Sequence, residues 1–420
     1  MSPGGAPPLS SWRAVPRTGA SLFAVFLFCL SAAPFAAERP IGPLPENLRA
    51  QAVVIDGERD GLWEKSLVVS FPEERRALST SEGMVRVRAA VNHAAHPFLW
   101  NELSRSFAGG ATRYLELTHE RLARRAGAER KTLATMGTAA DLDNLAVAIR
   151  EYGPFTVAAL ATAGAETNAL RAGVDEGVHI EGENDAPHGT INVLLLTNAR
   201  LSEGALAQAI IVTTEAKTAA LEDLRVPSSY TQGAQATGTG TDSVIVVAGN
   251  DGPRVTYTGG HSRIGELIGK AVYAAVVEAL GKQNGFLLPG AAPFVTGYLQ
   301  KLKKARAAAE EWLSLIDGGQ EGFDAAWWTA SALLRQSEAP EAWRARLKET
   351  RAALGEKRTR RRARSLDAGA LPGLPRGEYM LVEYVGAFER QPEIFETLTL
   401  RKDEDGAWRV LRYKAAVERD

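Results

Sequence analysis

The sequence predicts a layered α/β or mixed α+β domain followed by a small α+β domain, in which helices precede a curved antiparallel sheet. Three observations carry this. Apolar strand-like runs alternate with helix-length segments between residues 60 and 286, the arrangement of a layered sheet-and-helix fold. Pro289, Gly290 and Pro293 then break the pattern. Beyond them helices come first and alternating strands second, and five of the eight tryptophans lie there: Trp312, Trp327, Trp328, Trp343 and Trp408.

Taken in order, residues 1–37 have the layout of a secretory signal peptide. Arg13 and Arg17 precede an apolar run at 20–37, and charged Glu38 and Arg39 follow. The alternative is an uncleaved anchor, since about 18 apolar residues can reach across a bilayer; Pro34 counts against it. Residues 38–60 read as a lead-in. Strands are expected at 67–71 and 85–90, as a sheet edge or hairpin. A helix follows at 111–125, with Leu115, Leu117 and Leu122. A second helix is expected at 139–152, where Leu142, Leu145, Val147 and Ile149 fall.

Apolar strands are expected at 155–163, 190–197 and 244–248, with helices at 202–224 and 262–280. Ser202 can cap the first of these helices, with Glu203 in its first turn. The first domain thus spans 38–286, a linker 287–305, and the second domain 306–420. In that domain helices are expected at 307–316, 323–335 and 340–354. Strands follow at 357–366, 379–388, 394–401 and 408–413, with Asp405-Gly406 as a turn.

Composition excludes several classes. With 420 residues, 45% hydrophobic and 24% charged, the chain has room for two globular domains. A net charge of −1 gives no whole-chain field toward nucleic acid, so no nucleic-acid partner is expected. The single cysteine, Cys29, lies in the leader, which removes internal disulfides and a cysteine nucleophile from the mature chain. No later stretch is long and apolar enough for a transmembrane span, so the mature chain is expected to be exported, to the periplasm. No HExxH motif or cysteine-based zinc spacing occurs, and Gly269-Lys270 lacks the upstream glycine of a phosphate loop.

The unusual chemistry is concentrated between residues 189 and 242. There GTIN (189–192), TEAKTAAL (214–221) and TGTGTDS (237–243) resemble the adenosylcobinamide amidohydrolases of corrinoid salvage. The resemblance continues in TAADLDNLAV (138–147), ALATAGAETNALRAG (159–173) and GGHSRIGELIGKAV (259–272), and covers roughly residues 60–285. It implies hydrolysis of the amide joining aminopropanol to the corrin periphery, releasing adenosylcobyric acid in cobalamin salvage. The corrinoid enters as substrate, and no cofactor is called for. No Asp-x-His-x-x-Gly pattern is present to replace a lower cobalt ligand, so a corrinoid would be held by its edge amides and apolar faces. The second domain resembles a bacterial domain of unknown function, in DAAWWTASALLR (324–335), PEAWRARLKETRAALG (340–355) and PRGEYMLVEY (375–384).

Amide hydrolysis needs an activated nucleophile, a donor for the leaving amine and stabilisation of the oxyanion. Glu215 can be the base that activates water, with Lys217 orienting or protonating. Thr214 beside Lys217 offers a rival, a hydroxyl nucleophile served by an amine three residues on. The loop Thr237, Gly238, Thr239, Gly240 and Thr241 can turn backbone N–H groups inward as an oxyanion hole, its glycines permitting the geometry. Asp242 can fix a partner side chain or the substrate's amides. Against this, Glu215 and Lys217 need not share a helix face, and a GxG loop is often only a turn.

Glu166, Thr167 and Asn168 end an apolar strand, where layered sheets place ligands, and Asn192 and Asn198 flank another. His261 is a pocket candidate, and His93 and His96 are core or loop residues. The cluster His179, Glu181, Glu183, Asp185 and His188 can bind a divalent metal, but reads better as an acidic surface loop, so no metal is assigned. The basic run 357–362 reads as the wet face of a strand. Two further readings stay open: a corrinoid-binding or scavenging protein without turnover, and an envelope partner bound by the second domain.

Overall fold

The structure, a computed structural model, describes residues 37–59, 61–100, 110–177, 179–180 and 189–417. The expected leader, save Ala37, lies outside the described residues, as do Glu181, Glu183, Asp185 and His188 of the acidic cluster.

In chain order the first domain contains strands β1 (Ala37–Pro40), β2 (Gln51–Arg59), β3 (Leu62–Ser79) and β4 (Gly83–Ala95), then helix α1 (Gly110–Arg125). Next come β5 (Leu133–Thr138), β6 (Ala146–Tyr152), β7 (Phe155–Ala163), β8 (Ala169–Leu170), β9 (Ile191–Thr197) and β10 (Arg200–Leu201). Helix α2 (Glu203–Asp223), β11 (Gly238–Thr239), β12 (Ser243–Val247), β13 (Arg254–Val255) and helix α3 (Arg263–Asn284) complete it. Nine of the strands form one mixed sheet in the order β1-β2-β3-β12-β9-β7-β6, with β4 joining β3 to β5. The β12/β9 and β4/β5 pairs are parallel.

The sheet curls because β3 is long and irregular. Its first half pairs with β2 and its end with β12, and its register against β4 shifts between Ser70 and Arg75. Curling encloses one apolar core between β2–β5 and the inner face of β7, β9 and β12, with Val54, Leu67, Leu160, Leu194 and Ile245. A second core lies on the opposite face, under α2 and α3. Both helices turn alanines toward it (Ala205, Ala209 and Ala220; Ala271, Ala275 and Ala279), which lets them sit close to the sheet. Strand β9 is buried along its whole length, which is why Val193–Leu196 is an unbroken apolar run. Ser202 caps α2 as expected, accepting the Ala205 N–H at 3.2 Å, and Ser262 caps α3 in the same way at 3.1 Å.

Residues 139–152 depart from the expected helix. Only a single 3-10 turn forms (Leu142–Asn144), and β6 follows as an antiparallel partner of β7. Alternate residues of β6 serve the two cores. Ala146 and Ala148 face the helices, while Val147 and Ile149 pack on the curled side. The tight turn at Gly153, with φ 55°, sets that register. Non-local pairing outweighs the helical spacing of the leucines.

The second domain begins with α4 (Gly297–Asp317), α5 (Gln320–Trp328), α6 (Ala332–Ser337) and α7 (Pro340–Leu354). Helix α4 starts inside the expected linker because the Thr296 hydroxyl caps it, accepting the Leu299 N–H at 3.1 Å. The expected helix at 323–335 is two, parted at Ser331, whose N–H donates to the Val410 carbonyl. Strands β14 (Lys357–Ala368), β15 (Tyr379–Phe388), β16 (Ile394–Lys402) and β17 (Trp408–Ala416) form an antiparallel sheet in sequence order. Trp312, Trp327 and Trp343 form the domain's core with Tyr379, Leu398 and Val410. Of the basic run, Arg358 and Arg361 are exposed, whereas Lys357 and Arg360 pair with Asp317. No helix among the described residues is long and apolar enough to cross a membrane.

The domains meet closely. Leu62 and Phe98 pack against the tryptophan core, and the His96 Nε2–H donates to the Asp367 carbonyl. Burial pushes the His96 imidazole down to about 4, so it stays neutral, with Nδ1 accepting the Phe98 N–H at 3.1 Å.

Candidate functional site

The centre forms where α2 passes the loop between β11 and β12. Lys217 sits on the inward face of α2, and its ammonium is paired with the Asp242 carboxylate; the two side chains are 11% and 14% exposed. Asp242 is held from every side. Its Oδ1 accepts the Ile191 N–H at 3.0 Å and the Thr239 hydroxyl at 2.5 Å, and its Oδ2 accepts the Thr239 N–H at 3.0 Å. A carboxylate with this many donors is fixed in place, and the charge-assisted bond polarises the Thr239 hydroxyl toward it. Among the described residues Lys217 Nζ has one hydrogen-bond partner, Asp242, which leaves ammonium donors for a ligand.

The glycines of the loop are required by close approach. A Cβ at Gly238 would lie 2.6 Å from Asp242 Oδ2 and 2.7 Å from Lys217 Nζ. At Gly240 it would lie 2.8 Å from Asn168 Oδ1. Asn168 is buried and fully engaged. Its Nδ2 donates to the Gly189 carbonyl at 2.9 Å, its Oδ1 accepts the Tyr230 hydroxyl at 2.6 Å, and its carbonyl accepts the Gly240 N–H at 3.1 Å. Thr241 and Gly240 are exposed and form the rim of the centre, and the Thr241 hydroxyl donates to the Gly189 carbonyl at 2.9 Å.

Several expected residues have other work. Thr214 and Glu215 are exposed on the outer side of α2; Glu215, two residues or about 200° from Lys217, points away from it around the helix. The Thr214 hydroxyl donates to the Ile210 carbonyl of its own helix at 2.9 Å. Glu215 instead lines a shallow groove between α2 and α3 with Gly260 and Lys270. His261 is exposed against the Tyr257 ring. Three of the five loop N–H groups expected to serve an oxyanion hole, those of Thr237, Thr239 and Gly240, are already bonded to Leu170, Asp242 and Asn168.

Asn192 is wholly buried. It donates to Asn92 Oδ1 and to the Gly137 carbonyl, both at 2.9 Å, so it serves a polar seam inside the sheet. Glu166 is claimed by the second domain, where Arg306 Nη2 meets it at 2.5 Å. Sequence reasoning missed Tyr230, Asn92 and Thr213. The Thr213 hydroxyl, one helical turn from Lys217, is buried with no hydrogen-bond partner among the described residues. A signal for it existed: i and i+4 share a helix face, whereas the reading rested on i and i+3.

Three comparisons bear on this geometry. Residues 308–413 match a family described only as a protein of unknown function. An uncharacterized protein of Methanocaldococcus jannaschii is 40% identical over 241 residues, 54% of this chain and 91% of that protein. An adenosylcobinamide amidohydrolase of Methanosarcina mazei is 36% identical over 124 residues, 27% of this chain and 58% of that protein, so the chain spans little more than half its length. Among solved structures, a Burkholderia sp. beta-aminopeptidase overlaps 60% of the chain and 90% of itself at 14% identity, but its TM-score of 0.30 gives the overlap no weight. Residues 51–287, which hold the Lys217–Asp242 centre, match the family described as adenosylcobinamide amidohydrolase, and the chain belongs to that family.

Proposed function

We propose that the chain hydrolyses the aminopropanol amide of adenosylcobinamide, or of a related corrinoid, with Thr239, Asp242 and Lys217 as its catalytic group. The observation that carries this is the Asp242 carboxylate, which holds the Thr239 hydroxyl at 2.5 Å on one oxygen and the Lys217 ammonium on the other. In this reading Thr239 Oγ1 attacks the amide carbonyl carbon and its proton passes to Asp242. The oxyanion that forms is stabilised by Lys217, which takes the part expected of the loop N–H groups. Collapse breaks the carbon–nitrogen bond, the proton held by Asp242 goes to the departing amine, and an ester remains on Thr239. Water, deprotonated by the same carboxylate, cleaves that ester to give adenosylcobyric acid and restore the hydroxyl. Among the described residues no group of three or more His, Cys, Asp or Glu is placed to hold a metal, and the scheme calls on none.

The test is turnover of adenosylcobinamide, followed as free aminopropanol by mass spectrometry. Thr239→Ala should abolish it and Thr239→Ser retain part. Rapid quench of the wild type should show an adduct on the peptide containing Thr239. Turnover without any adduct would replace Thr239 by a water molecule in the same position. Corrinoid binding without turnover would instead support a scavenging protein. We also propose that residues 1–37 export the chain to the periplasm, for which the charge-then-apolar layout is the support. Cell fractionation with amino-terminal sequencing tests this; full-length protein in the cytoplasm would refute it.

A further inference from the structure

The second domain touches the first at a particular place, the loop Gly164–Leu170 that leads from β7 into the centre. This loop is held at two points. At its start the Ala165 N–H donates to Asn284 Oδ1 at 3.0 Å, and Glu166 is bound by Arg306 of α4. Arg306 is itself oriented by Ser365 of β14, whose Oγ accepts from Nε at 2.9 Å. At the far end, two residues later, Asn168 and β8 hold the catalytic loop. The Asn168 carbonyl accepts the Gly240 N–H, the Leu170 carbonyl accepts the Thr237 N–H at 2.8 Å, and β8 pairs antiparallel with β11. Thr239, whose hydroxyl is on Asp242, lies in β11 opposite Ala169. An unbroken chain of hydrogen bonds and short backbone therefore runs from Arg306 to the Thr239–Asp242 pair.

A cleft beside this contact is bounded by Asp141, Glu166 and Gly189 of the first domain and by Tyr298, Ser365 and Asp367 of the second. Its interior is about 80 Å³, room for a few waters or one small polar group and far too little for a corrin ring. The second domain therefore contributes at this junction by what it holds in place. The Glu166–Arg306 pair suits that use. Burial pushes the Glu166 carboxyl up and the Arg306 guanidinium down, so removing either partner leaves the other's charge poorly compensated.

We propose that Arg306 is a positioning residue of the amidohydrolase centre: by holding Glu166 it fixes the 164–170 loop, and through Asn168 and the β8–β11 pair it sets the Thr239–Asp242 geometry. This rests on the catalytic group proposed above, and the test separates the two. On the full chain, hydrogen exchange is compared between wild type, Arg306→Met, Arg306→Lys and the double variant Arg306→Met/Glu166→Gln. The amides followed are Thr237 and Gly240, whose acceptors lie on the 164–170 loop. Arg306→Met should raise exchange at both by at least about tenfold, and the lysine variant should recover part of the protection. The double variant leaves no unpaired charge, so it should fold as the wild type does and still exchange fast at Thr237 and Gly240. With adenosylcobinamide, kcat should fall about ten- to a hundredfold in the double variant while KM stays within threefold. Wild-type protection at Thr237 and Gly240 in the double variant, or an unchanged kcat, would overturn the proposal. Exchange is read without substrate, so a chain inactive on adenosylcobinamide would sink the catalytic reading and leave this test standing.

Discussion

Two ion-paired clusters in this molecule are built on opposite plans. In the second domain, Arg360 spends both edges of its guanidinium, donating to Glu396 at 2.5 and 2.9 Å and to Asp317 at 2.6 and 3.0 Å. Arg351 and Lys357 fill the remaining sites on Asp317, and the Tyr413 hydroxyl donates to Glu396 at 2.7 Å. Both carboxylates and the Arg360 guanidinium are engaged by neighbours, while Arg351 Nη1 stands 3.6 Å from Glu396, outside hydrogen-bond range. In the first domain the carboxylate of Asp242 is equally satisfied, but Lys217 keeps donors in hand and two glycines are pared away around it. A network whose carboxylates are all but saturated ties α4 and α7 to the sheet; one whose lysine keeps donors in hand, open at a glycine rim, is equipped to meet a ligand.

The widest separation between the two should come from removing a charge. Lys217→Ala and Asp242→Asn are expected to lower kcat on adenosylcobinamide by about 10² to 10⁴, the range for a lost acid–base or oxyanion partner. Arg360→Met should leave kcat within a fewfold, yet cost about 3–5 kcal/mol of second-domain stability by leaving buried Glu396 without a directly bonded cation. Kinetics and denaturant melts on the same proteins check both. An inactive but stable Arg360→Met chain would reverse the assignment of the clusters.

Glycine substitution is the next test in size. Gly238→Ala drives a methyl group into the Lys217–Asp242 pair, and Gly240→Ala drives one into the Asn168 amide. Each should reduce kcat by about 10- to 100-fold, since misplacement by about 1 Å is costly at a reacting centre. Crystal structures of the variants should show the ion pair displaced. Full activity in Gly238→Ala would mean that the pair is not at the centre of the chemistry.

Acid should divide the domains as well. Burial pushes the imidazoles of His93 and His96 down to about 4, and that of His119 lower still, to about 3. In the unfolded chain these groups take up protons near pH 6.5. Between that value and about pH 4 the unfolded state therefore binds more protons, and stability falls as pH is lowered, by roughly 3 kcal/mol for each of His93 and His96. The second domain has no histidine. For its Asp317, burial alone would raise the carboxyl, but hydrogen bonds from Arg360 and Lys357 hold it below its usual range. Its contribution is complete above the unfolded value of about 3.9 and is lost only below it. Hydrogen exchange along an acid titration should show the first domain losing protection from pH 6 downward while the second persists. A single coincident transition near pH 4 would erase this contrast.

Much of this was legible in the chain. The cap at Ser202, the buried run of β9, and the limits of β7, β15 and α7 all follow from local chemistry. Local chemistry failed at β6, where leucine spacing suggests a helix but a hairpin through Gly153 and two cores on opposite faces decide otherwise. It also divided the candidate site unevenly. Lys217, Asp242 and the Thr239 loop come together because glycines and short polar side chains mark close approach. Whether a backbone N–H in that loop is free depends on partners from Asn168 and Leu170, some seventy residues away. The role of Glu166 depends on Arg306, in another domain. Neither dependence has a local signature.

The smallest expected effect is the one that tests the geometry against the motif. TEAK reads as a catalytic string, with Glu215 and Lys217 acting together. On α2, however, the two are two residues, or about 200°, apart, and the helix must bury Thr213 and Lys217 to pack on the sheet. Glu215 is left exposed over the α2–α3 groove, and the Thr214 hydroxyl is occupied by its own helix. Neither side chain can reach the Asp242 carboxylate without unwinding the helix. Thr214→Ala and Glu215→Gln are therefore expected to keep kcat within about threefold and to shift stability by less than about 0.5 kcal/mol, as exposed substitutions do. If Glu215→Gln instead lost activity to the extent of Lys217→Ala, the chemistry would lie on the outer face of α2. The groove with Gly260 and the exposed His261 would then take the place of the Asp242 centre.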